Sequence, residues 1–261
     1  MVGNKVYLGT NTKMYKGIAD TVSYLRELYE LTGDISREEM ELFVIPSFTT
    51  LESARRCLPD EKIRLGAQNM GWADEGPFTG EVSPKMLEEV GVTIAELGHS
   101  ERRHVLGETN EMVNRKVLCA LAHGMTALLC IGETAEEKER GLADEVLRTQ
   151  LKAGLYGAEL QDADRLWVAY EPVWAIGEAG VPATKEYAEE KHAVIRRTLE
   201  EIFGAQIGGA VPVLYGGSVN PQNAVGLIQM EHIDGLFIGR SAWNAQKFNA
   251  LIRDVLSALK K

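Results

Sequence analysis

Cysteine is scarce in this chain of 261 residues: Cys57, Cys119 and Cys130 are all it has. The number is odd and no C-x-x-C pair occurs, so a disulfide framework is not expected and a reducing, cytoplasmic compartment is. Long apolar runs are missing as well. None approaches the ~18 residues of a membrane-spanning helix. Met1-Val-Gly-Asn-Lys5 is not followed by the apolar segment of a secretory signal. Positive charge is in deficit: 28 Lys and Arg against 38 Asp and Glu leave a net charge of −10. That balance argues against nucleic acid or an anionic membrane as a general partner. A small anionic ligand stays open, because it needs only a local positive site. No Pro/Gly/Ser linker, low-complexity tract or charge block divides the chain, so residues 1–261 read as a single domain.

What is present is a rhythm of short apolar run, polar or Gly-rich turn, and amphipathic stretch. The apolar runs are Val6–Gly9, Leu42–Ile45, Ile63–Ala67, Thr93–Leu97, Thr126–Ile131, Leu166–Tyr170, Val211–Tyr215 and Gly235–Ile238. Their length suits buried strands. Helical spacing recurs between them. Leu142, Val146, Leu147, Leu151 and Leu155 share one face, as do Ala188, Ile195, Leu199 and Ile202, and Val113, Val117 and Leu121. Ser83 before Pro84, Thr134 before a Glu pair and Asn220 before Pro221 suit helix starts. Strand alternating with helix predicts βαβ units and a parallel sheet. Eight such units in a chain of this length predict an α/β fold closed into a (β/α)8 barrel.

A barrel of this kind collects its chemistry where strands end and helices have not begun. Only those positions need reading. After the first strand comes Thr10-Asn11-Thr12-Lys13-Met14, which aims an ammonium into the mouth. After the fourth comes Gly98-His99-Ser100-Glu101-Arg102-Arg103. A helix beginning at Ser100 disfavours positive charge on His99, so its imidazole stays neutral, able to donate to a carbonyl oxygen. Glu101 can pair with Lys13 across the mouth. After the sixth strand Glu171 stands directly before Pro172, which ends the ladder. The small residues of 175–183 then suit a moving lid. After the seventh and eighth come Gly216-Gly217-Ser218 and Gly239-Arg240-Ser241. Glycines let backbone N–H groups approach an anion, and barrels often bind phosphate there. Gly177 in the lid can add another N–H. Read singly, each of these residues also fits a solvated surface turn; together they give a base, a neutral acid, a cation and an anion cradle. His99 and His104 lack further ligands at metal spacing, and no redox residue accompanies them, so no metal or cofactor is expected. A carboxylate base beside an electrophile abstracts a proton α to a carbonyl. A phosphate-anchored α-hydroxy carbonyl would isomerise there through an enediolate.

These motifs resemble the triosephosphate isomerase family over essentially the whole chain. The matching stretches are Asn11-x-Lys13-Met14, Gly66-Ala67-Gln68-Asn69, Thr79-Gly80-Glu81, Glu96 to Arg103, Cys130 to Thr134, Tyr170 to Gly177 and Tyr215 to Val219. The resemblance implies a TIM barrel and a cofactor-independent sugar-phosphate isomerase. It implies Glu171 as the base, His99 as the electrophile, Lys13 and Asn11 as stabilisers of the enediolate, and Glu101 as their orienter. It implies phosphate binding by Gly177, Ser218, Gly239 and the N–H of Arg240, with Gly216 and Gly217 shaping that loop. Residues 175–183 become the closing lid, which keeps water from the intermediate. A homodimer through the loop around 69–82 is implied as well.

Three departures stand out. The family generally has Trp where this chain has Thr12, a shorter lid lacking Glu178-Ala179-Gly180-Val181-Pro182, and a second glycine where Arg240 stands, without the Ser241-Ala242-Trp243 that follows. They resemble a sister branch, the tetrulose-phosphate isomerases of erythritol breakdown. The motifs along the whole chain keep triosephosphate isomerase, in glycolysis and gluconeogenesis, as the first reading. The alternative is the same proton transfer on four carbons, between L-erythrulose 1-phosphate and D-erythrulose 4-phosphate. A phosphate-binding barrel without turnover is the remote third.

Overall fold

The computed structural model describes residues 5–177 and 180–260. Eight strands close into a barrel in sequence order: β1 Val6–Asn11, β2 Met40–Ile45, β3 Arg64–Ala67, β4 Ile94–Leu97, β5 Thr126–Ile131, β6 Leu166–Tyr170, β7 Val213–Tyr215 and β8 Gly235–Ile238. Every pair is parallel, and β1 returns to β8 with Tyr7 opposite Gly235. Helices alternate with the strands, as the periodicity predicts. Among the described residues, no helix is long and apolar enough to cross a membrane.

Two apolar layers hold the barrel. Inside it Phe43, Ile45, Ile94, Leu128, Trp167, Leu214 and Phe237 pack together. Gly9 makes room for them: a Cβ there would lie 2.2 Å from the Phe43 ring. Outside, Leu42, Val44, Ala95, Leu129 and Val168 face the helices. Side chains alternate along a strand, so the same phase that puts Ile94 inside also puts Glu96 inside. Asn11, Cys130 and Glu171 share that inward phase at the ends of their own strands.

Some boundaries differ from expectation. β1 and β2 run two residues longer, while β3, β4 and β7 start one or two residues later. Ser83 and Thr134 cap their helices by accepting from Met86 and Glu137 N–H, the latter in a full capping box. Asn220 does not start a helix. Its Oδ1 accepts from Gln222 and Asn223 N–H in a turn, and the helix begins at Ala224.

Candidate active site

His99 is placed by the end of β4. Gly98 turns the chain with φ 73°, and His99 then caps the helix Ser100–His104. Its Nδ1 accepts from Glu101 N–H at 3.2 Å. The proton of the neutral ring therefore sits on Nε2, an assignment made from this network. Nε2 lies 3.5 Å from Glu171 Oε1, and both residues are buried.

Glu171 extends β6 by one residue, donating its N–H to Ile131 O at 2.8 Å. Two glycines make space for it. A Cβ on Gly132 would lie 1.9 Å from the Glu171 carbonyl oxygen, and one on Gly216 would lie 2.8 Å from its Cγ. Glu171 Oε2 is buried with no hydrogen-bond partner among the described residues. That oxygen is an open acceptor within the site.

Lys13 is the one described non-glycine residue with positive φ, at 51°. Such backbone costs on the order of 1 kcal/mol, and three contacts hold it. Asn11 Oδ1 accepts its N–H at 2.6 Å, Gln68 Nε2 donates to its carbonyl at 2.8 Å, and its Nζ reaches Glu101 Oε1 at 2.5 Å. Asn11 is fixed in turn: its Nδ2 donates to Glu96 Oε2 at 2.7 Å and its carbonyl accepts from Trp243 Nε1 at 2.9 Å. The Trp243 ring also lies 4.6 Å from that of Tyr15. Two departures from the family pattern thus meet on one loop, Thr12 within it and Trp243 bracing it.

The floor beneath these groups is charged in an unusual way. Glu96 is fully buried, and burial pushes its carboxyl up to about 7. The charge of Glu171 adds to that push, while His99, Asn11 and Lys13 oppose it. Burial likewise pushes the Cys130 thiol up, so it stays protonated beside them. Ligand atoms of Glu96, His99 and Glu171 lie within 4.8 Å of one another, close enough for a metal. Yet Nδ1 of His99 is committed as an acceptor, which leaves a proton and no lone pair on Nε2.

The remaining predicted residues line the same rim. Gly177 (φ 90°), Ser218, Gly239 and Arg240 sit on the loops after β6, β7 and β8. Gly216 and Gly217 follow β7, where a Cβ would strike Glu171 and the Tyr215 hydroxyl respectively. Of the lid, residues 178 and 179 lie outside the described residues. The segment before them is held by Glu133, whose buried carboxylate accepts from Tyr170 OH, Trp174 Nε1 (2.8 Å) and Tyr187 OH (2.9 Å). Sequence reasoning assigned no role to Glu96, Cys130, Glu133 or Trp243. Glu96 had a signal, an acidic residue at an inward position of an apolar strand. Trp243 had only its departure from the family pattern.

The family model described as triosephosphate isomerase matches residues 6–255. The chain is 45% identical over 258 residues to an L-erythrulose-1-phosphate isomerase of Rhizobium etli, covering 98% of this chain and 94% of that one. It is 41% identical over 246 residues to a triosephosphate isomerase of Dictyoglomus thermophilum, covering 94% and 98%. The crystal structure of triosephosphate isomerase from Bartonella henselae superposes with a TM-score of 0.86 at 34% identity, covering 95% of this chain and 98% of that one.

Proposed function

The chain belongs to the triosephosphate isomerase family, and from that premise we propose that it interconverts L-erythrulose 1-phosphate and D-erythrulose 4-phosphate. That it is a sugar-phosphate isomerase follows from the family. The four-carbon substrate rests on one observation, the 45% identity to a relative of that name over nearly the whole length. This reverses the order expected from the motifs, where triose phosphate came first. The triose reading keeps support from the 41% identical relative.

The geometry supports a short reaction path. The substrate phosphate lies in the N–H cradle of Gly177, Ser218, Gly239 and Arg240. Glu171 Oε2 takes the proton from C3, leaving an enediolate across C2 and C3. His99 Nε2–H donates to the oxygen on C2, and Lys13 and Asn11 offset the charge. The imidazole moves a proton between the two oxygens. Glu171 returns its proton to C2, so the carbonyl ends on C3. No atom is gained or lost. Glu101 orients Lys13 and, through its N–H, His99. The lid keeps water from the intermediate, which would otherwise expel phosphate.

We also propose a homodimer in a reducing cytoplasm. Met14 (94% exposed), Tyr15, Phe78 and Met86 are large apolar side chains left on the surface around the loop 69–82. Gln68 ties the start of that loop to Lys13, so a second copy seated there would steady the cation. All three cysteines are unpaired, which suits the compartment.

The test is kinetics on L-erythrulose 1-phosphate and on dihydroxyacetone phosphate, with Glu171→Asp as control. The expected result is a higher kcat/KM for the four-carbon substrate and a loss of ~10²-fold or more in the variant. Preference for the triose would overturn the substrate. Inactivity on both, or a fully active variant, would overturn the reaction.

A further inference from the structure

We infer that Glu96 is a positioning residue of the isomerisation, holding the Asn11 amide toward the enediolate and governing the charge beneath Glu171. The inference rests on the isomerase reading and adds a residue to it. Glu96 enters from β4 one layer above Ile94, and it is fully buried. Its Oε2 accepts from Asn11 Nδ2 at 2.7 Å. Asn11 Oδ1 is already engaged by the N–H of Lys13, which settles which end of the amide is which. With one N–H given to Glu96, the second is directed by that bond. A donor aimed in advance at developing charge needs no reorganisation during the reaction.

Charge is the second half of the argument. Two buried carboxyl groups, Glu96 and Glu171, share one compartment with His99. The titratable groups facing Glu96 are His99 on its own strand's end, Lys13 after β1, Cys130 on β5 and Glu171 after β6. Lys13 is drawn toward Glu101 at the rim, and Cys130 is held as a thiol. Two carboxylates this close resist ionising together. Burial first, and the charge of Glu171 beside it, thus favour a proton on Glu96. An enediolate is an anion, so a second negative charge below it slows its formation. The neutral form of Glu96 is the productive one. Its pKa of about 7 means that this form is lost as pH rises through neutrality.

Two variants separate these roles. Glu96→Leu removes both acceptor and charge; Glu96→Gln restores the acceptor without the charge. Wild type and variants are assayed on both sugar phosphates from about pH 5.5 to about pH 9, and their melting is followed over the same range. Glu96→Leu should lose roughly tenfold in kcat with KM within about twofold, because a misaimed donor acts on the transition state. Glu96→Gln should recover most of that loss and should lack the decline in rate that wild type shows above neutrality. A buried carboxyl also costs stability once ionised, so wild type should lose melting temperature as pH rises from about 5.5 to about 7 and hold level above, while Glu96→Gln shows no such loss. Variants that keep the wild-type kcat and pH profile overturn the inference and leave the isomerase reading standing. A Glu96→Leu variant that only melts lower makes the residue structural and overturns it too. Wild-type inactivity on both substrates removes the reading and this inference with it.

Discussion

Gly216→Ala is the sharpest probe of Glu171 as the proposed base, because one added methyl is aimed at its side chain. The ideal Cβ would stand 2.8 Å from Glu171 Cγ and 3.3 Å from its Oε1, while the nearest backbone atom, Tyr170 O, is at an ordinary 3.5 Å. Carbon atoms rest about 3.5–4.0 Å apart, so the Glu171 side chain must yield by about 0.7 Å or more. The backbone is held in place on both sides, with Glu171 N–H donating to Ile131 O and Gly216 N–H donating to Tyr170 O, each at 2.8 Å. The φ of Gly216 lies outside the left-handed region, so alanine adds no backbone strain. A displacement near 1 Å at the reacting group costs ~10²-fold in rate, about 2.7 kcal/mol. Overpacking costs about 1–3 kcal/mol of stability. The assay is kcat and KM on both sugar phosphates, with a thermal melt. The expected outcome is kcat down by one to two orders of magnitude, KM nearly unchanged and a folded protein. Gly239→Ala is the contrast: its Cβ would meet nothing within 4 Å, so any effect there belongs to phosphate and appears in KM. If Gly216→Ala raises KM and spares kcat, its glycine serves the anion and the steric argument is refuted.

Two further outcomes follow from contacts outside the reacting pair. Trp243→Phe keeps the ring against Tyr15 but removes the 2.9 Å bond to Asn11 O; with about 1 kcal/mol at stake, kcat should fall a few-fold, and an unchanged kcat would show that the loop stands without the brace. His123 has Glu88 Oε1 at 2.8 Å from Nδ1 and Asp74 Oδ1 at 2.9 Å from Nε2, so both nitrogens carry protons and the bond to Asp74 leads in raising its pKa. The stability it adds is full below the ordinary imidazole value of about 6.5 and is lost as pH rises through the raised one. The gap in melting temperature between wild type and His123→Gln should therefore close toward alkaline pH and in salt; a gap constant across pH would refute the clasp.

Much of this was legible in the residues. Eight apolar runs became eight strands because parallel strands, covered on both faces, must be apolar throughout. Their ends were less legible: β7 starts at Val213 and not at Val211, because pairing begins only where a neighbour is in reach. Asn220 misled because the same side chain satisfies a turn as well as a helix start. Glu171, His99 and Lys13 were legible because each follows a strand directly. Glu96 was legible in principle from the period of β4, since its phase matches Ile94. Its bond to Asn11 joins residues 85 apart in sequence, and no local pattern carries that. Trp243 lies 232 residues from the carbonyl it supports, a contact made only by closure of β8 onto β1.

That closure has a practical side. The first strand begins, and the last helix finishes, at the base of the barrel: Lys5 pairs with Glu41 at the start of β2, and Lys260 pairs with Glu39 just before it. The candidate site lies at the opposite end, where the strands finish. A fluorescent fusion, an affinity handle or a solid support joined next to Lys5 or Lys260 would therefore hang beneath the barrel, away from the candidate site.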